Sequence, residues 1–215
     1  MPCRLAMQNR STKRLLRYFA PAKINLYLHV TGQRSDGYHE LDSVVTFAPI
    51  GDVICVLPDD ILTLEIVGPE ASDLIDFEVS KNLVFRAAHM LAAKYKVTTG
   101  AAITLNKVLP VASGIGGGSA DAAATLNALV DLWKLNPAAG ELAELALALG
   151  ADVPVCLMSR PLRMTGIGEK LHETPAMPNG CLVLVNPRIS QSTPDVFEEL
   201  HRGKWKARGY SPSLP

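Results

Sequence analysis

The chain has 215 residues, enough for one large domain or two small ones and for a substantial core. Hydrophobic residues make up 48% and charged residues 20%, a balance that excludes a disordered chain, and no apolar run approaches membrane-spanning length. With 21 basic and 21 acidic residues the formal net charge is zero, so nothing favours a nucleic-acid or membrane partner.

Residues Met1 to Arg17 carry five basic residues (Arg4, Arg10, Lys13, Arg14, Arg17) and no acid. The stretch has some of the flavour of a transit peptide, but it is short and reads more simply as a disordered leader. The four cysteines (Cys3, Cys55, Cys156, Cys181) are scattered, with no C-x-x-C pair and no metal-like spacing. That pattern fits a reducing compartment, the cytoplasm by default.

Ala22 to Val30 shows a clean period of two. Ile24, Leu26, Leu28 and Val30 alternate with Lys23, Asn25, Tyr27 and His29, which predicts a strand with the apolar set in the core and the polar set facing out. Pro21 marks its start and Gly32 its end. The polar turn TGQRSDGYHE follows, with Asp36-Gly37 as a hairpin signal. Three short apolar runs, Ser43–Ala48, Asp52–Leu57 and Leu62–Val67, are expected as antiparallel strands separated by Pro49, Gly51 and Pro58-Asp59-Asp60.

Asn82 is expected to cap a helix running to about Lys94, with Val84, Ala87, Ala88 and Leu91 buried. Ala101–Asn106 reads as a strand. Asn136-Pro137 predicts another helix start, with Leu142, Leu145, Ala146 and Leu149 as the apolar stripe and Gly150 as the stop. Gly150–Pro154 reads as a short acidic turn before the apolar stretch Val155–Met158, and Thr165–Glu169 as a further turn. Cys181–Asn186 reads as a strand and Thr193 to Leu200 as a short helix, before a basic, turn-rich tail. Strands first and helices after indicate α+β.

The most distinctive stretch lies between these elements. Four glycines (Gly114, Gly116, Gly117, Gly118) fall within five positions, and Ser119 and Asp121 then open a segment with Leu126, Leu129, Val130 and Trp133 at helical spacing. Ala120, Ala122, Ala123 and Ala124 keep its first turns slim. A glycine loop running into a helix N-terminus offers free amides and a positive dipole end, which is an anion site. No lysine follows the glycines, so the Walker pattern fails, and Ser119 stands where the dinucleotide pattern needs its last glycine. Without a ligand the run is only a helix-starting turn.

Two charged residues could carry chemistry. Lys23 and Asn25 project from the same side of the first strand, although Lys23 taken alone reads first as an exposed strand lysine. Asp152, set between a glycine turn and Val153-Pro154, is poorly solvated and needs a partner or a role, unless it only caps the turn. Tyr38 and His39 could present an aromatic face to a flat base or could simply dress a loop.

Taken in order, PAKINLYLHVTGQRSDGYHEL, LPVASGIGGGSADAAATL and LGADVPVCL resemble the GHMP kinase superfamily, from about Tyr18 to about Phe197. The resemblance implies a ribosomal protein S5 domain 2-like N-terminal domain over residues 18–165, after a leader over 1–17 and before an incomplete α+β C-terminal domain over 166–215. The DGYH segment points, within the superfamily, to ATP-dependent phosphorylation of the 2-hydroxyl of the small molecule CDP-methylerythritol, a step of non-mevalonate isoprenoid synthesis. ATP and Mg²⁺ are the implied cofactors and a monomer or weak homodimer the implied state.

By the same resemblance, Pro110, Val111, Ala112, Ser113, Gly114, Ile115, Gly116, Gly117, Gly118, Ser119 and Ala120 would wrap the triphosphate, with Ser119 near the phosphates or Mg²⁺. Asp152 would be the base and Lys23 its catalytic partner. Asn25 would support them, and Tyr38, His39 and Phe197 would hold the cytosine with Thr193 nearby. The family's third glycine motif has no match, and beyond Phe197 the resemblance ends. Two other readings stand beside this one: a superfamily kinase for another small alcohol, and a catalytically impaired nucleotide-binding remnant.

Overall fold

The computed structural model describes residues 14–202 apart from 77, 178, 179, 190 and 192, with the side chains of 193, 194 and 200–202 also left aside. Residues 1–13, most of the basic leader, and the tail from 203 onward lie outside the described residues.

The frame is two very long antiparallel strands. Strand β1 (Leu16–Gln33) pairs with β2 (His39–Asp59) along its whole length, from Leu16 against Val56 to Gln33 against His39. On its other edge β2 carries two partners in succession. Its first half pairs antiparallel with β5 (Leu162–Gly166), and its second half pairs antiparallel with β4 (Gly100–Asn106). β3 (Leu62–Val67) then joins β4, and β6 (Lys170–His172) joins β5.

Helices α1 (Leu83–Tyr95), α2 (Gly117–Leu132), α3 (Glu141–Leu149) and α4 (Val153–Met158) supply the apolar cover, and α5 (Thr193–Arg202) follows later. α2 sits centrally, touching β1, β2, α1, α3 and α4. Ala120, Ala122, Ala123, Leu126, Ala128 and Leu129 are all buried, because alanines let neighbouring backbone approach where larger side chains would not. The Asn82 side chain accepts the Val84 N–H at 2.9 Å and starts α1 as expected, over the expected buried set Val84, Ala87, Ala88 and Leu91.

Several expectations are corrected. The first strand is inverted: Lys23 is almost fully buried, whereas Leu26 and Leu28 are 46% and 43% exposed. Register shifts at Pro21/Lys23, Asn25/Tyr27 and Val30/Gly32 twist the strand, so alternation does not keep one face inward. The strand also begins at Leu16, inside the expected leader. Ser43–Ala48 and Asp52–Leu57 are one strand. Pro49 and Ile50 sit exposed at the first of those shifts, where a proline costs the ladder little, and Gly51 is needed because a Cβ there would lie 2.2 Å from the Ala20 carbonyl oxygen.

β3 runs parallel to β4, since α1 carries the chain across before β4 begins. The helix expected at Pro137 starts at Glu141, whose carboxylate accepts the Ala138 N–H at 2.9 Å and holds the preceding residues as a turn. The apolar stretch Val155–Met158 lies in helix α4, which already starts at Val153 inside the expected acidic turn, and the turn expected from Thr165 begins inside β5. Cys181–Asn186 forms no strand: Val183 and Val185 are each 87% exposed, with no neighbouring strand among the described residues to take up the ladder.

Candidate active site

From the end of β4 the chain turns through Leu109 into the glycine run. Ser113 Oγ donates to the Pro110 carbonyl at 2.7 Å, and the Lys23 N–H donates to the Ile115 carbonyl at 2.9 Å, which staples the loop to β1. Ile115 and Leu109 pack with Ala22, Ile24 and Ala48. Gly116, at φ 65°, caps α2, so the last two glycines lie inside the helix rather than before it. The first helical bond runs from the Ala120 N–H to the Gly116 carbonyl, which leaves the amides of Gly117, Gly118 and Ser119 ahead of it at the positive end of the dipole.

These residues wall a cavity of about 470 Å³, lined by Pro110 through Ser119 with Asn82 and Leu83 at the start of α1, Lys107, Asp121 and Asp152. Ala120 is the exception among the expected loop residues. One helical step beyond Ser119, it turns into the core and is 2% exposed.

Lys23 lies flat against the loop, so a Cβ on Gly116 would stand 3.0 Å from its Cβ. Its ammonium reaches Asp152 Oδ1 at 2.9 Å and donates to Asn25 Oδ1 at 3.3 Å. Asp152 is 41% exposed and its partner 4%: the acid faces the cavity while the amine is sealed behind it. Asp152 is placed by the extended Gly150 and by α4, whose Pro154 stands in the first turn.

A second cavity of about 530 Å³ adjoins this point, lined by Asp36 through His39 with Leu41, Ala151, Ile167 and Phe197. The His39 ring stacks on Phe197 at 5.2 Å between centroids. Tyr38 is 59% exposed at the rim, on a turn closed by the Arg34 N–H donating to the Tyr38 carbonyl at 2.8 Å. Thr193 starts α5; its side chain is outside the described set. Adjacent residues, Ala151 and Asp152, thus line the two cavities in turn.

A buried ionic cluster at the base of the loop escaped the sequence reading. Lys107 Nζ lies 2.6 Å from Asp52 Oδ2 and 2.8 Å from Asp121 Oδ2. Asp52 Oδ1 also accepts the Val108 and Leu109 N–H groups at 2.5 and 2.8 Å, so one carboxylate holds the entry to the loop and the other sits in the first turns after it. Burial alone would lower the Lys107 pKa, but the two carboxylates outweigh it and raise it. Burial pushes Asp121 up to about 7, against the pull of Lys107. The available signal was three charges in otherwise apolar or alanine-rich runs, which burial obliges to pair. Arg163 and Asp42 form another missed pair, at 2.8 and 2.7 Å, joining β5 to β2; the guanidinium holds the Asp42 carboxyl below its ordinary range.

Residues 82–160 match the family model of the GHMP kinases N terminal domain. A solved structure of 4-(cytidine 5'-diphospho)-2C-methyl-D-erythritol kinase superposes with a TM-score of 0.61 and 34% identity, covering 89% of this chain and 74% of that one. The chain belongs to this kinase family. Two family members named 4-diphosphocytidyl-2-C-methyl-D-erythritol kinase show the same relation in sequence. The protein of Ruegeria pomeroyi is 60% identical over 182 residues (85% of this chain, 62% of the relative) and that of Paramagnetospirillum magneticum is 55% identical over 179 (83% and 62%). The chain therefore spans about three-fifths of the length of these curated relatives. Its architecture is that of a GHMP kinase. No helix among the described residues is long and apolar enough to cross a membrane.

Proposed function

We propose that this chain transfers a phosphoryl group from ATP to the 2-hydroxyl of 4-diphosphocytidyl-2-C-methyl-D-erythritol. One observation carries the reading: the Lys23–Asp152 pair, at 2.9 Å, stands where a glycine-walled cavity meets an aromatic one. Phosphoryl transfer asks chiefly for alignment and charge stabilisation, and the two cavities supply a donor site and an acceptor site that adjoin at Ala151 and Asp152.

In this reading the amides of Gly117, Gly118 and Ser119 bind the triphosphate. Asp152 accepts the proton of the attacking hydroxyl, and Lys23, anchored by Asn25, steadies that carboxylate and the transferring oxygens. His39 and Phe197 hold the cytosine, with Tyr38 at its rim and Thr193 at the start of α5. Mg²⁺ would neutralise phosphate charge. Ser119 fits such an ion as a hydroxyl in the loop cavity, and Asp121 as a carboxyl of the same wall whose buried Oδ1 has no hydrogen-bond partner among the described residues. Residues 18–165 are assigned to the nucleotide-binding domain and 166–215 to a second, shorter one. The assigned setting is the cytoplasm.

The test is release of ADP by the purified chain with and without the cytidine substrate. Substrate-dependent release that falls by about 10³ or more in Asp152→Asn and Lys23→Ala, with cooperative unfolding preserved, is the expected result. ATP binding without transfer would replace this reading with that of a nucleotide-binding module. Equal turnover of a simple alcohol and of the cytidine substrate would assign another acceptor.

A further inference from the structure

Lys23 donates to Asn25, but an asparagine amide has two faces that differ only in which end donates. With the amide turned over, –NH₂ would face –NH₃⁺, two donors with nothing between them to accept. Something must hold the carbonyl end toward the lysine, and the neighbouring strand does so. Asn25 Nδ2 donates to Ser43 Oγ at 2.7 Å, and Ser43 Oγ donates in turn to the Tyr27 carbonyl at 2.6 Å.

The direction of this relay is forced from its far end. A backbone carbonyl only accepts, so the Ser43 hydroxyl spends its single proton on Tyr27 and presents lone pairs to Asn25. The amide must then offer –NH₂ to Ser43 and its carbonyl to Lys23. Tyr27 is itself pinned, since its hydroxyl donates to Asp42 Oδ1 at 3.1 Å and Arg163 clamps that carboxylate. The relay crosses from β1 to β2 where the register shifts between Asn25 and Tyr27. Ser43 is 1% exposed and lines neither cavity, so it cannot touch a substrate directly.

We propose that Ser43 is a positioning residue for phosphoryl transfer, fixing the Asn25 amide so that its carbonyl holds the Lys23 ammonium against Asp152. The role rests on the function proposed above, whereas the relay can be measured without it. Full-length protein and its Ser43→Ala, Asn25→Ala and doubly substituted forms are acetylated with limiting acetic anhydride, and modification of Lys23 is followed by peptide mass spectrometry against the other lysines. With one acceptor fewer the amine is held less firmly in its buried seat and reaches the reagent more often, so Lys23 should react about five-fold faster in Ser43→Ala and in Asn25→Ala. The double substitution should react no faster than Asn25→Ala alone, because both changes cut the same line.

In the transfer assay Ser43→Ala should lower kcat about ten-fold with KM for ATP within about two-fold, the pattern of lost transition-state alignment. Unchanged Lys23 labelling in Ser43→Ala, or independent factors that multiply in the double form, would overturn the relay. Labelling as expected in a chain that transfers no phosphate would uphold the relay and discard the function. Transfer at the native rate by Ser43→Ala would discard the positioning role alone.

Discussion

Lys107 and its two carboxylates show how single charges set the terms at the base of the loop. Asp121, lifted to about 7 by burial, titrates near neutrality, far above its ordinary 3.8. Below about pH 4 the folded and unfolded chains both hold this proton. Between about 4 and about 7 only the folded chain keeps it, so this group makes stability fall as pH rises through that window. Asp42 acts in the opposite sense: its carboxyl, held low by Arg163, adds stability above its ordinary range that is lost as pH falls through its folded value. Urea midpoints measured from about pH 4 to about pH 8 should therefore show the native chain losing ground to Asp121→Asn as pH rises, since the Asp42 contribution is common to both. Parallel curves would refute the raised Asp121 value. At this scale the sequence singled out Lys23 and Asp152 from their motif context, and the fold sets them 2.9 Å apart, although the strand's alternation turned Lys23 outward. It was silent for Asp52, Lys107 and Ser43, whose roles come from partners 14 to 57 positions away or on another strand.

The glycine loop joins two elements by steric necessity rather than by composition alone. Gly116 has φ 65°, and any side chain there meets Lys23, whereas Gly118 lies in the ordinary helical turn, where an added Cβ would stand 3.5 Å from Leu83 Cδ1. Gly116→Ala should therefore cost about 1–2 kcal/mol of stability from the left-handed backbone and lower turnover further by displacing Lys23. Gly118→Ala should leave stability unchanged or improve it by about 0.5–1 kcal/mol. Chemical denaturation of both variants reads the difference, and equal losses would refute the distinction. Elements with local causes were readable in this way: α1 from Asn82 and its apolar spacing, α2 from the loop and its alanines. The inner face of β1 was not, because period-two alternation cannot reveal three register shifts, and the union of two runs into β2 depends on β1 lying alongside. The parallel setting of β3 was hidden for the same reason, since it follows from the path of α1.

Across the whole molecule the cysteines report how tightly the core closes. Cys55 and Cys156 are buried and Cys181 is exposed, and burial raises the Cys156 thiol to about 12. Iodoacetamide at about pH 8 should modify Cys181 within minutes while Cys55 and Cys156 react only on unfolding, as peptide mapping would show. Rapid labelling of Cys156 would mean that α4 opens, and with it the seat of Asp152. The α+β class was legible from the order of the runs, but the division of one strand's edge between β4 and β5 was not. That division brings residues from positions 23 to 197 around one point.

Because Ala151 and Asp152 belong one to each cavity, a single peptide link, about 3.8 Å between Cα atoms, joins the wall of one to the wall of the other. Lengthening the chain there by one residue would leave both compartments furnished yet out of step, like two gears drawn apart by a tooth. The walls of either chamber can thus be altered on their own, while the one-residue joint keeps the two in register.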